Sequence, residues 1–367
     1  MEHNARQMAS IEYAALVGQL QCLVGRHVDK FVHFGAKSFR LKIGDMDIAI
    51  DAPLRANATK YILDSPKVPT DFGLQMKKRV EGAKVAQVEQ HECDRVFYFG
   101  LEKGAEKFYL IFEMFSGGNC ILADSEWKTV IALAYEDWKG RCIRPKQPYE
   151  FPKATITRQG MEDVESAMEQ VLSGKYVSAC LAKLPIGTAY TNEALSRCGI
   201  DEKAKELSLS QKKELAREIA KIISEKSPMA FLDGSGNVVD FALAAIGKYA
   251  SLKHAAFDDF SQAADEYYRQ HPIKLEQEDA EGKKALEKLL VMAQKQKEAI
   301  THLEGLEKEH LEAGKRITES LELAQSCIDF AKSGSIAQGG RAKEIDGMVE
   351  SGALKVERKK AELEIEL

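Results

Sequence analysis

The chain has 367 residues, of which 44% are hydrophobic and 30% charged, and its formal net charge is −5. That length exceeds one small core and points to two or three structural units, while the negative balance excludes bulk electrostatic adhesion to nucleic acid or membrane. No run approaches the ~20 apolar residues of a membrane-spanning helix, and the seven singly scattered cysteines form no CxxC, so neither zinc nor a disulfide framework is implied. The start MEHNARQMASIEY has no apolar signal core, so the expectation is a cytoplasmic chain with reduced thiols. Residues 1–150 carry 21 Lys and Arg against 20 Asp and Glu. Any nucleic acid must therefore meet local basic patches in that first third.

From Ser10 the spacing of Ile11, Ala14, Ala15, Leu20 and Leu23 predicts a helix, with Ser10 as N-cap, Glu12 in the first turn and Gly25 as the stop. Short alternating runs follow at Val28–Phe34, Phe39–Ile43, Met46–Ile50 and Thr59–Leu63, separated by Gly35, the hairpin signal Gly44-Asp45 and Asp51-Ala52-Pro53. Pro66 and Pro69 hold an extended segment. A basic helical turn at Lys77, Lys78 and Arg79 ends at Gly82. Strands are expected at Lys84–Gln90 and Arg95–Leu101, then at Phe108–Phe115, Asn119–Ala123 and Lys128–Ala134. The unit is α+β and mostly antiparallel, closing at the proline cluster Pro145, Pro148 and Pro152.

Beyond Pro152 the pattern turns helical, with helices expected at Met161–Leu172, Lys175–Lys183, Asn192–Cys198 and Ser210–Glu225 and a boundary at Pro272. The turn Pro185-Ile186-Gly187-Thr188 joins two of them, and such helix–hairpin–helix turns can aim backbone N–H groups at a phosphate. Asp233–Asn237 is a surface turn. From Glu281 a heptad frame runs through Leu286, Ala293, Ile300, Glu307, Gly314, Leu321 and Ile328, interleaved with Leu289, Gln296, Leu303, His310, Ile317, Ala324 and Ala331, most of them apolar with the exceptions between Gln296 and Gly314. It predicts a helix of about 70 Å at about 1.5 Å per residue, broken at Ser333-Gly334-Ser335. Ala353–Leu367 alternates more like strand. The helix needs a partner for its stripe, either a second chain in a dimer or sequence beyond Leu367.

Asp94 and Arg95 stand side by side at a strand entrance. Two readings stay open: a salt-bridged turn that fixes strand register, or a recognition pair in which Arg forks onto a phosphate or base edge. Lys77, Lys78 and Arg79 are either a solvated helix face or phosphate contacts. Glu12 suits the helix dipole. His27, His33 and His91 lack ligand spacing, and Gly117-Gly118-Asn119 is no phosphate loop because no GK[ST] follows. No catalytic constellation is visible, so no enzyme activity and no cofactor are expected.

Several phrases taken together, ASIEYAALVGQLQ, SPKVPTDFGLQMKKRVEGAKV, VEQHECDRV, FSGGNCILADSE, GRCIRPKQPYEFP, LAKLPIGTAYTNEALSRCGID and FDDFSQAADEYY, resemble the NFACT family of ribosome quality control factors. The resemblance implies a β-rich N-terminal domain over 1–152, similar to that of formamidopyrimidine-DNA glycosylases. An all-α helix–hairpin–helix domain over 153–272 and a coiled-coil arm over 273–367 would follow. It implies binding to an obstructed large ribosomal subunit holding peptidyl-tRNA, and recruitment of tRNA, chiefly alanyl-tRNA, for template-free C-terminal tailing. Peptidyl transfer is left to the ribosome. The family's tRNA-engaging Asp-Arg pair falls on Asp94 and Arg95, and an acidic residue usually Asp falls on Glu12. The alternative is a DNA-lesion glycosylase or lyase on the related fold, although the start Met-Glu-His-Asn-Ala lacks that mechanism's N-terminal proline. Family members usually continue past the arm, so a longer parent protein is expected.

Overall fold

Helix α1 (Ser10–Leu20) leads into an antiparallel sheet of β1 (Val28–Gly35), β2 (Ser38–Ile43), β3 (Met46–Asp51) and β4 (Arg55–Thr59), paired in that order. After α2 (Asp71–Val80) comes a second antiparallel sheet, β5 (Lys84–Gln90), β6 (Val96–Lys103), β7 (Glu106–Glu113), β8 (Asn119–Asp124) and β9 (Thr129–Ala132). A small hairpin, β10 (Glu136–Trp138) with β11 (Arg141–Ile143), completes this β-rich part. These positions come from a computed structural model. It describes residues 5–365 except 63, 67, 139, 173–175, 274–279, 320, 334–341, 352 and 358–361.

Alternation decides which face of each strand is buried. Phe39, Leu41 and Ile43 of β2, Phe97 and Phe99 of β6 and Phe112 of β7 all lie in the same core. Phe112 packs against Phe39 at 5.8 Å and stacks on Phe97 at 5.3 Å, and Tyr13 of α1 stacks on Phe97 at 5.9 Å. The two sheets meet where His27 bridges Lys84 and the Val28 N–H donates to the Ala83 carbonyl at 2.9 Å.

The next elements are α3 (Arg158–Glu162), α4 (Val164–Val171), α5 (Val177–Leu181), α6 (Thr188–Arg197) and α7 (Leu209–Ser224). Then come β12 (Met229–Leu232), β13 (Val238–Ala242), β14 (Lys253–Ala256) and α8 (Phe260–Gln270). Three sequence expectations are corrected here. Residues 153–272 are not all-α, because β13, β12 and β14 form an antiparallel sheet in that order. The short apolar runs MAFL and VVDFA flank the Asp233–Asn237 turn, which makes it a hairpin loop. The helix expected over Met161–Leu172 restarts at Asp163, whose carboxylate accepts the Ser166 N–H at 3.1 Å and caps α4. The strand expected at Thr59–Leu63 instead ends at Thr59, because the tight turn after Asp51 brings Arg55 directly opposite it. Leu63 itself lies outside the described residues.

The outer edge of β4 is closed by side chains of α8. Ser261 Oγ accepts the Ala58 N–H at 3.1 Å, and Asp265 accepts the Lys60 N–H at 2.9 Å and Asn57 Nδ2 at 3.1 Å. An open edge of unpaired N–H groups is thereby satisfied without another strand.

The chain divides into two units, Met1–Glu278 and Asp279–Leu367. The second holds α9 (Ala280–Glu319), α10 (Leu321–Ser333), α11 (Ala342–Ser351) and the antiparallel pair β15 (Leu354–Glu357) and β16 (Glu362–Ile365). The long helical stretch and the terminal strand character both appear. Along α9, Ile300 and Leu303 of the heptad stripe are exposed. Among the described residues no helix is long and apolar enough to cross a membrane.

Candidate functional site

The site is organised around the first turn of α1. Ala9, in extended conformation, is its N-cap, and Glu12 reaches back to accept the Ala9 N–H at 2.7 Å. The expected cap, Ser10, is the first helical residue, and its hydroxyl donates to the Cys93 carbonyl instead. That bond docks the loop between β5 and β6 onto the helix start, which an N-cap role would have prevented.

Glu12 is fully buried. Arg6 donates to both its oxygens, at 3.0 and 2.7 Å, and the Tyr190 hydroxyl donates to it at 2.7 Å. A buried carboxylate needs this many donors to offset lost hydration. Arg6 also lies 2.6 Å from Asp240, donates to the Phe241 carbonyl at 2.7 Å, and sits over the Phe241 ring at 3.8 Å. Burial pulls the Arg6 pKa down, but Glu12 and then Asp240 outweigh it, so the guanidinium is held firmly charged. Burial, with Glu12 beside it, pushes the Tyr190 phenol well up, so Tyr190 stays a donor. Arg6, Tyr190 and Asp240 carry no sequence motif; no spacing along the chain announces a contact between residues 6 and 240.

Asp94 and Arg95 sit in the turn between β5 and β6. The Asp94 carboxylate accepts the Arg95 backbone N–H at 2.7 Å and forms no ion pair with the guanidinium. The salt-bridge reading of this pair is therefore corrected. Among the described residues the Arg95 guanidinium has neither a carboxylate partner nor a hydrogen bond. The turn itself is held from several sides. Gln90 Nε2 donates to the carbonyls of Ser10 at 3.0 Å and Asp94 at 2.7 Å. Arg158, at the start of α3, donates through Nη2 to Gln90 and Glu92 carbonyls at 2.8 and 3.1 Å. Its backbone N–H meets the Glu92 carboxylate at 2.6 Å. A firmly held backbone thus carries a half-buried guanidinium with no hydrogen bond or ion pair among the described residues, a donor set that suits an anionic ligand.

The turn at Pro185–Thr188 comes to the same place. Ile186 is buried, Thr188 is exposed, and Gly187 (φ +97°) packs against Ala9, the cap of α1. Ile186 thus anchors the turn in the core, while Thr188 and Tyr190 line a cleft of about 430 Å³ shared with Arg6, Glu12, Asp240 and Lys248. Glu12, Asp94-Arg95 and Ile186–Thr188 are therefore gathered around one helix end.

Lys77, Lys78 and Arg79 are not. Lys103, the last residue of β6, donates to the carbonyls of Lys78 and Glu81 at 2.9 and 2.6 Å. Arg95 precedes the other end of that strand, a run of about 26 Å at 3.3 Å per residue. Lys77 is 3.8 Å from Glu81, Arg79 donates to the Gln75 carbonyl at 3.1 Å, and Lys77 and Lys78 are exposed.

The chain is 25% identical over 379 residues to the archaeal Rqc2 homolog aRqcH of Methanocaldococcus jannaschii, covering 94% of this chain and 56% of that protein. It is 25% identical over 196 residues to the ribosome quality control complex subunit NEMF homolog of Drosophila melanogaster, covering 50% of this chain and 20% of that one. The chain thus spans little more than half the length of the archaeal relative. Among solved structures, the N-terminal part of the fibronectin/fibrinogen-binding protein from Streptococcus suis superposes with a TM-score of 0.57 at 19% identity, over 72% of this chain and 99% of that one. The fibrinogen binding protein from Staphylococcus aureus gives 0.55 at 17%, over 71% and 98%. Those two likenesses show a common fold. The model of the NFACT N-terminal and middle domains matches residues 11–329, most of the chain, which therefore belongs to the NFACT family.

Proposed function

We propose that this chain is the tRNA-binding and large-subunit-binding part of a ribosome quality control factor. It recruits alanyl-tRNA to a subunit obstructed by peptidyl-tRNA and supports template-free C-terminal tailing, with no enzymatic step of its own. The observation that carries this reading is the uncommitted Arg95 guanidinium on a turn held by Gln90, Ser10 and Arg158, in a chain whose relatives include proteins named as ribosome quality control subunits. Lys77, Lys78 and Arg79 serve as a separate phosphate patch, well away along β6. Glu12 acts from within, by fixing the end of α1 against which the Asp94-Arg95 turn rests. In the same reading α5 and α6 are the helix–hairpin–helix, with Ile186–Thr188 as its turn. The β-rich part is related to the glycosylase N-domain, and α9 belongs to a coiled-coil arm able to pair with a second copy in the cytoplasm.

The test is tRNA binding by the purified chain and by Arg95→Ala. Loss of a charge-assisted contact worth about 1.5–3 kcal/mol weakens binding by about 10- to 100-fold, with the melting temperature nearly unchanged. Wild-type affinity also falls steeply with salt as counterions are released. Unchanged affinity in Arg95→Ala, or a salt-insensitive Kd, overturns the proposal.

A further inference from the structure

The end of the second sheet that carries Arg95 carries another feature that the proposed function does not use. Val96, Glu113 and Asn119 form one row across β6, β7 and β8. From that row the hairpin β10–β11 is suspended. Asn119 exchanges two hydrogen bonds with the Ala134 backbone, at 2.9 and 3.0 Å, and Arg141 pairs with the buried Glu113 carboxylate. Neighbouring strands are about 4.8 Å apart, so the hairpin root stands about 10 Å across the sheet from the residue that follows Arg95.

Two aromatic rings on this hairpin are left to solvent: Tyr135 is 47% exposed and Trp138 45%. Scattered exposed aliphatic residues need no account, but two half-exposed large aromatics three residues apart, one just before β10 and one at its end, do. Trp138 lies opposite Arg141 in the register, and the Arg141 guanidinium is 5.7 Å from the Trp138 ring and 5.2 Å from the buried Tyr149 ring. Because Arg141 is fastened to Glu113, it holds the indole in place while leaving part of it uncovered. The surroundings carry both signs. Arg144 and Lys146 are exposed nearby and Lys37 reaches the Gly117 carbonyl, whereas Glu136 and Asp137 lie on β10 and Asp137 is 3.7 Å from Arg144. Half-exposed rings suit unpaired nucleotides, whose bases stack, and the exposed Lys146 offers positive charge to their phosphates.

We infer that the β10–β11 hairpin is a stacking site for unpaired RNA bases, with Trp138 and Tyr135 as the platforms and Arg141 as the residue that positions Trp138. The inference rests on the proposed RNA-binding reading and extends it to the other face of the sheet, because Val96 and Ile143 share one apolar cluster while Phe97, on the Arg95 side of the pleat, lies in the other.

The test uses the whole chain and an unstructured seven-nucleotide oligoadenylate. The chain has two tryptophans, Trp127 stacked on Tyr109 at 3.7 Å and Trp138, so the part of a fluorescence change that Trp138→Phe abolishes reports on Trp138. The oligonucleotide is expected to quench the wild-type chain. Trp138→Ala removes the quench and weakens binding by about tenfold, as expected for one lost stack, with the melting temperature unchanged. Trp138→Phe keeps most of the affinity, and Tyr135→Ala, at the second ring, weakens it independently. Absence of binding at low salt, or equal affinity in Trp138→Ala and wild type, overturns the inference. Arg95→Ala separates the two readings. Lost tRNA binding in that variant with no Trp138 effect removes only the hairpin. Undiminished tRNA binding in Arg95→Ala overturns the proposed function, and a Trp138 quench retained in that variant leaves base stacking at the hairpin standing.

Discussion

Gly187 stands so close to Ala9 that a Cβ built on it would lie 2.6 Å from the Ala9 Cβ. The first residue before α6 therefore touches the cap of α1, so a turn of the helical part packs directly on the first helix of the chain. Because Glu12 on α1 and Tyr190 on α6 share a hydrogen bond one turn further in, the two helix starts are locked both sterically and by a buried polar link.

Gly187→Ala is expected to be costly on two counts. A φ of +97° strains a side-chain-bearing residue by about 1–2 kcal/mol, and overlap with Ala9 adds about 1–3 kcal/mol of overpacking. Urea unfolding should show a loss of about 2–5 kcal/mol at constant m-value. A loss below about 0.5 kcal/mol would mean that the two segments part without cost.

Glu12→Gln removes the charge that Arg6 pairs with while preserving shape. Breaking a buried pair on one side costs about 3–5 kcal/mol; Asp240 beside Arg6 holds the expectation to the lower end. Glu12→Asp is one methylene shorter and cannot reach Arg6, Tyr190 and the Ala9 N–H together, so a loss of about 1–2 kcal/mol is expected. Measured by thermal unfolding, the order should be wild type, then Asp, then Gln. Equal melting points for all three would refute the structural role of this carboxylate.

His33 gives a pH dependence whose sign can be worked out. Its ring is buried, stacked on Phe39 at 4.9 Å, with Nδ1 2.6 Å from Thr70 Oγ1 and Nε2 3.1 Å from the Ala36 carbonyl. The Thr70 oxygen already accepts the Gly73 N–H, so its hydroxyl hydrogen is free to serve Nδ1 and the neutral ring suffices. Burial lowers the pKa, and the Ala36 carbonyl only partly opposes it. Below the unfolded value of about 6.5 the unfolded chain binds a proton that the folded chain does not. Stability therefore falls as the pH drops through 6.5, and levels off once the depressed folded-state pKa is passed. One proton limits the slope to about 1.4 kcal/mol per pH unit. His33→Phe, which keeps the ring stack and cannot titrate, should lose that share of the acid sensitivity in unfolding curves from pH 7 to 5. Identical pH profiles would show that His33 is not its source.

Much of the local structure is legible from spacing. The run Lys84–Gln90 is a strand with the expected bounds, and Gly44-Asp45 closes a hairpin because glycine takes φ +59° there without strain. Gly82 likewise follows α2 at φ +78°. The three-stranded sheet after α7 was hidden because its strands have four or five residues. Alternation over so few positions cannot be told from one side of a helix. The Ser10 cap failed for a different reason: a serine before an apolar run is a sound capping signal, but the Cys93 carbonyl, 83 residues away, competes for its hydroxyl.

Sequence by itself determined the family, the antiparallel β-rich start, the helices that follow and the presence of Asp94 and Arg95 side by side. All of these follow from short-range preferences or from a recognisable order of phrases. Only the tertiary structure decided what the charges do. It committed Glu12 to Arg6 and, among the described residues, gave the Arg95 guanidinium neither an ion pair nor a hydrogen bond. It also set Lys77–Arg79 at the far end of β6 and hung Trp138 beside the Arg95 end of the sheet. Charge pairing depends on which atoms come within a few ångströms in space, where screening and desolvation act, and contacts between residues 6 and 240 or 12 and 190 leave no periodic trace along the chain.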